Sequence, residues 1–164
     1  MSKLKRDKIA IIVWLCFLTG TLDAIAAILI SYKISPAIVF QYIASGWFGQ
    51  AAFEGGTKML ILGLVFRYLI AAFYCIVFFL SYPFFAKVFR NKYAIAVEFA
   101  VITWLIMNLV VLPQTNIPKR PAQVNVALLI EGLGALFLCL GLPISLAANR
   151  YYRRIFLRKT LENI

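Results

Sequence analysis

An all-α integral membrane protein is the fold class this sequence predicts: a four-transmembrane-helix bundle with one short outer helix, interfacial or re-entrant. Three observations predict it. Hydrophobic residues make up 63% of the 164-residue chain, against roughly 45–50% in soluble domains, and the mean hydropathy is +0.90. Four apolar runs are each long enough to cross a hydrocarbon core of ~30 Å at 1.5 Å per residue. The basic residues gather at the ends of these runs, as they do beside membrane spans, and form no soluble basic patch. No Gly/Ser linker or low-complexity stretch divides the chain, so 1–164 reads as a single membrane domain.

The first span covers about 9–31, behind a basic start at Lys3, Lys5, Arg6 and Lys8. It exceeds the 7–15-residue apolar region of a signal peptide and is expected to be retained. The second span covers about 59–82, the third about 93–112 and the fourth about 124–148. Between the first and second, 34–53 is uncharged and long enough to cross, yet it opens at Pro36 and is interrupted by Gly46 and Gly49.

Counting Lys and Arg decides its placement. Four spans with a cytoplasmic N-terminus put Lys3, Lys5, Arg6, Lys8, Lys87, Arg90, Lys92, Arg150, Arg153, Arg154, Arg158 and Lys159 inside, 12 residues, against Lys33, Lys58, Lys119 and Arg120 outside. A fifth span would leave 7 inside and 9 outside. About 36–45 is therefore expected to be a short outer helix, with Pro36 in its first turn and Trp47 and Phe48 at headgroup depth. The stretch 112–121, with three prolines, reads as a semi-rigid outer loop. Both termini are expected in the cytoplasm.

The tail, 150–164, interleaves Tyr151, Tyr152, Ile155 and Phe156 with Arg150, Arg153, Arg154, Arg158 and Lys159. This pattern predicts contact with anionic lipid headgroups at the cytoplasmic face, and the net charge of +11 is assigned to that surface and not to nucleic acid.

Each span carries one ionisable residue well inside its apolar run: Asp23, Arg67, Glu98 and Glu131. A charge at the centre of a membrane helix costs about 2.5–3.5 kcal/mol on insertion scales, so such groups face protein, pair, or line a polar path. Asp23 shares a stripe with Cys16, Thr19, Gly20 and Ala27, and Arg67 shares one with Gly63, Ala71 and Tyr74. In the fourth span Ala127, Gly134, Gly141 and Ala148 recur every seven residues around Glu131, a pattern suited to close packing. Gly20, Gly63, Gly134 and Gly141 are the expected helix-packing glycines. Asp23, Arg67 and Glu131 are expected to form one buried network. Glu98, near the basic end of its span, is set apart as a cytoplasmic-side polar site within reach of Arg90 or Lys92.

Enzyme chemistry finds little support. The chain has no histidine, no G-x-S-x-G and no phosphate-binding Gly-rich loop. Cys16, Cys75 and Cys139 lack C-x-x-C spacing and read as packing residues, so neither metal nor cofactor is expected. The leading expectation is a structural or interaction role built on the ionisable network. The alternative is a small permeation or proton-coupled transport unit using Asp23, Arg67 and Glu131, which would need a homo-oligomer or a membrane-protein partner to complete a pore wall.

The strings Gly20-Thr21-Leu22-Asp23, Tyr42-Ile43-Ala44-Ser45-Gly46, Phe53-Glu54-Gly55-Gly56, Leu62-Gly63-Leu64 and Met107-Asn108-Leu109-Val110-Val111-Leu112-Pro113 together resemble the YagU-like family of bacterial inner-membrane proteins, over roughly residues 10–148. The resemblance implies a bacterial cytoplasmic (inner) membrane location and no reaction. It also implies histidine at the position of Arg67, a departure that weakens a proton-transfer role for that residue here.

Overall fold

A computed structural model describes residues 3–89, 91–116 and 126–162. Every element among them is helical: α1 (Lys3–Ile30), α2 (Pro36–Phe48), α3 (Ala51–Glu54), α4 (Gly56–Val88), α5 (Lys92–Ile106), α6 (Leu112–Gln114), α7 (Val126–Leu136) and α8 (Leu142–Glu162). Two π turns, Met107–Val111 and Phe137–Gly141, join α5 to α6 and α7 to α8. The result is four helices long and apolar enough to cross a membrane: Arg6–Ile30, Gly56–Val88, Lys92–Gln114 and Leu129–Phe156.

Local chemistry sets the boundaries. Ser35 is held extended by the proline that follows it, and Pro36 starts α2 with φ already suited to a helix. Gly49, at φ 59°, turns the chain out of α2 where a side chain would be strained. The Asn91 side chain accepts a hydrogen bond from the Tyr93 backbone N–H at 2.9 Å and caps α5.

Each π turn ends two residues before a proline, Pro113 or Pro143. A proline ring crowds the carbonyl four residues back and offers it no N–H. The chain responds by widening the preceding turn, so that the N–H of Leu112 reaches the Met107 carbonyl and that of Leu142 reaches the Phe137 carbonyl. Pro83, by contrast, leaves α4 unbroken, and that helix runs on to Val88, beyond the expected end near residue 82.

The two halves of the bundle are built differently. The half that holds the chain's ends is a buried aromatic core. Phe78 stacks on Phe99 with centroids 4.3 Å apart, Tyr82 stacks on Tyr152 at 6.0 Å, and Phe79, Ile95 and Ile144 are fully buried among them. The Ser145 hydroxyl donates to the Lys92 carbonyl at 2.6 Å, tying α8 to the start of α5. Tyr151 is 9% exposed and belongs to this core. Helix α8 runs unbroken through Glu162, beyond the apolar span that ends at Phe156, and Tyr151 and Tyr152 at the start of the basic tail pack their rings against Phe79 and Tyr82.

In the opposite half, α2 packs against the beginning of α4. The Phe40 backbone lies directly against Gly63, Phe48 stacks on Phe66, and the Gln41 side chain donates to the Gly56 carbonyl at 3.2 Å. Phe40, Gln41, Ala44 and Ser45 are buried, so α2 is seated in the bundle as a re-entrant helix would be, three residues longer than expected. Trp47 remains exposed. Of the semi-rigid loop, 117–121 lies outside the described residues. Asn116 is inside them and donates its backbone N–H to the Gly46 carbonyl at 3.1 Å, which places the start of that loop beside α2.

Around the outside, Val13, Phe17, Leu29, Leu69, Phe73, Leu80, Phe84 and Leu109 are all exposed. An apolar surface this continuous fits a multi-pass membrane protein.

Candidate functional site

The residues that meet in the α2 half are Asp23 of α1 and Arg67 of α4. Arg67 Nε stands 2.9 Å from Asp23 Oδ2, and Nη2 donates to the Asp23 main-chain carbonyl at 2.8 Å. The Nε–H is not aligned on an acceptor, so that contact is electrostatic, whereas the Nη2 bond is properly directed. The side chains are 21% and 15% exposed, which places the pair inside the bundle at the edge of open space.

The geometry follows from the two stripes. Thr19 and Gly20 are buried on the same face of α1 as Asp23, and Tyr68 lies so close over Gly20 that any side chain there would displace its ring. The Tyr68 hydroxyl shares a hydrogen bond with Thr21 at 2.9 Å. Small residues thus bring α1 and α4 close enough for the guanidinium to reach main chain and carboxylate together.

Beside the pair is a cavity of about 330 Å³. Asp23, Arg67 and Tyr74 form one side, Thr103 and Asn108 another, and Ile43 of α2 contributes a wall. Both polar side chains from the third span are turned back on their own helix: Thr103 Oγ1 donates to the Phe99 carbonyl at 2.7 Å and Asn108 Nδ2 to the Trp104 carbonyl at 2.9 Å. Trp104 and Met107 also line the space. The volume lies in the range of small-molecule sites, and the lining has their character, mostly apolar with a few polar groups. Both π turns border it, through Met107, Asn108 and Leu140, and such turns are frequent at functional sites.

Two expected members of the site are corrected. Glu131 is exposed and forms no ion pair among the described residues; its neighbours Gly132, Ala135 and Leu136 face the cavity in its place. Gly134 is likewise no packing glycine, because a side chain there would point into open space. Gly20, Gly63 and Gly141 do lie at close contacts, Gly141 directly against the Ala96 carbonyl. Both corrections have one cause. The π turn at Phe137–Gly141 takes an extra residue into the helix, and one residue rotates the register by about 100°. Gly141 and Ala148 therefore face the bundle, while Gly134, before the turn, does not.

Glu98 is half-buried, away from the Asp23–Arg67 pair, and takes no ion pair among the described residues. Arg150, Arg153 and Arg154 are exposed at the chain's-end half; the side chains of Arg158 and Lys159 lie outside the described residues. Thr103, Trp104 and Asn108 escaped the sequence reading. Their available signal was the paired spacing of the two Leu-Pro steps, 112–113 and 142–143, which announces the π turns around the cavity. No protein-family model, curated protein or solved structure matches this chain.

Proposed function

We propose that this is a non-enzymatic, membrane-embedded binding unit whose cavity takes a small amphipathic solute, anchored by its polar head at the Asp23–Arg67 pair. One observation carries the reading. Among the described residues Arg67 Nε is buried with no aligned hydrogen-bond acceptor, although Arg67 lines a cavity of about 330 Å³. A guanidinium donor left unsatisfied in apolar surroundings is costly, and a ligand acceptor would relieve it. The pair carries no net charge, so an uncharged or zwitterionic head fits better than a bare anion, which would meet Asp23 as well as Arg67.

The test uses a bromoalkanol of about eight carbons as probe and Trp104 as reporter. Saturable quenching of Trp104 is expected in the wild type, and Ala135→Phe, which fills the cavity, is expected to abolish the saturation. Quenching that rises linearly and equally in both proteins would sink the binding reading. The pair would then be a clamp between α1 and α4, a second reading supported by the bond from Nη2 to the Asp23 main chain. Permeation is less well supported than binding. Toward the chain's ends the lining reaches Tyr74 and Leu140, and Phe78 stacks on Phe99 in the aromatic half of the bundle.

Residence in a bacterial inner membrane with both termini cytoplasmic, and kinship with YagU-like proteins, form part of the same proposal. They are supported by the 12-to-4 charge count and by the quoted strings. Reporters fused after Asn91 and at the C-terminus are expected to report cytoplasm, and one inserted at Asn116 the outside. A cytoplasmic Asn116 would overturn the four-span model.

A further inference from the structure

At the other end of the bundle a second groove, of about 390 Å³, runs between α1 and α8. Its chemistry changes along its length. Arg150 and Arg154, one helical turn apart, hold one end; Ala10 and Ala147 leave room in the middle over Tyr151; and Trp14, 63% exposed, stands at the other end. Because α1 and α8 run antiparallel with the chain's ends on the same side, the arginine end points out of the bundle and Trp14 points toward its middle. Among the described residues neither arginine forms an ion pair, and Asp7, an acidic residue of this end, is not part of the lining.

We infer that this groove is a binding site for one anionic glycerophospholipid: its phosphate lies between the guanidinium groups of Arg150 and Arg154, and an acyl chain follows Ala10 to Trp14. Guanidinium forks suit phosphate oxygens. Tryptophan suits the boundary between headgroup and hydrocarbon. Water alone would satisfy the arginines but not the apolar floor, and a hydrocarbon chain alone would satisfy the floor but not the arginines. A molecule with both parts in this order satisfies the whole groove. The site is narrower than a basic tail acting as a charged surface, because it selects Arg150 and Arg154 and leaves out the neighbouring Arg153, which is exposed but does not line it.

Trp14 supplies the test. Trp47→Phe and Trp104→Phe make it the sole tryptophan of the three in the chain. The protein is reconstituted in vesicles of equal parts phosphatidylcholine and phosphatidylglycerol, with bromine on the acyl chains of one lipid or the other. Brominated phosphatidylglycerol is expected to quench Trp14 the more strongly. Arg150→Gln with Arg154→Gln should remove the difference, and Arg153→Gln should leave it. Equal quenching by the two lipids, or the same loss from Arg153→Gln, overturns the site.

If the tryptophan replacements prevent folding, native mass spectrometry of the otherwise unaltered chain reads the same preference. Each arginine near an anionic surface contributes about a fivefold factor, so retained phosphatidylglycerol should exceed phosphatidylcholine by about tenfold or more. Inorganic phosphate in the buffer should not erode that preference; if it does, the site is for free phosphate and the lipid assignment fails. Dimers in place of lipid adducts would assign the groove to a second copy of the chain and also overturn it.

Discussion

Arg67→Met is expected to destabilise the bundle by about 3 kcal/mol or more, the usual cost of stripping one partner from a buried ion pair. The cost arises because Asp23 would keep its charge, 15% exposed, with its only described cationic neighbour gone. Thermal unfolding in detergent is the measurement. Adding Asp23→Asn should restore part of the loss, since an amide needs no counter-charge, and the double-mutant cycle gives the coupling directly. Glu131→Gln should restore none of it, as Glu131 is exposed and outside the pair. Additive losses for Arg67→Met and Asp23→Asn would show that the 2.9 Å contact does not bind the helices. Rescue by Glu131→Gln would return that residue to the network.

Gly141→Leu should cost about 3 kcal/mol, at the upper end for overpacking, because a side chain at Gly141 runs into the Ala96 carbonyl, a backbone group that cannot swing aside. Gly134→Leu is the internal control. Open space surrounds that position, and replacing a helical glycine should gain up to about 1 kcal/mol. The same unfolding assay compares them. Equal losses would place both glycines at one interface, and the rotation imposed by the Phe137–Gly141 π turn would have to be given up.

Residue type and period alone determined the helical class, the four helices long and apolar enough to cross a membrane, and the inward faces of Asp23 and Arg67. A run of about 20 apolar residues can bury its backbone in lipid only as a helix, and a charge inside such a run must turn away from hydrocarbon. These are local constraints, and both lie within helices whose register is unbroken from Cys16 to Ala27 and from Gly63 to Tyr74. Glu131 and Gly134 could not be placed that way. Their face depends on a helical period that the turn before Pro143 interrupts, and a heptad count carried across that turn puts the wrong side inward. Tertiary structure alone decided which half of the bundle would be closed by aromatic rings and which would hold a cavity. That depends on whether side chains from separate helices, such as Phe78 and Phe99 or Arg67 and Asp23, arrive at the same depth, and no single stretch of sequence specifies this.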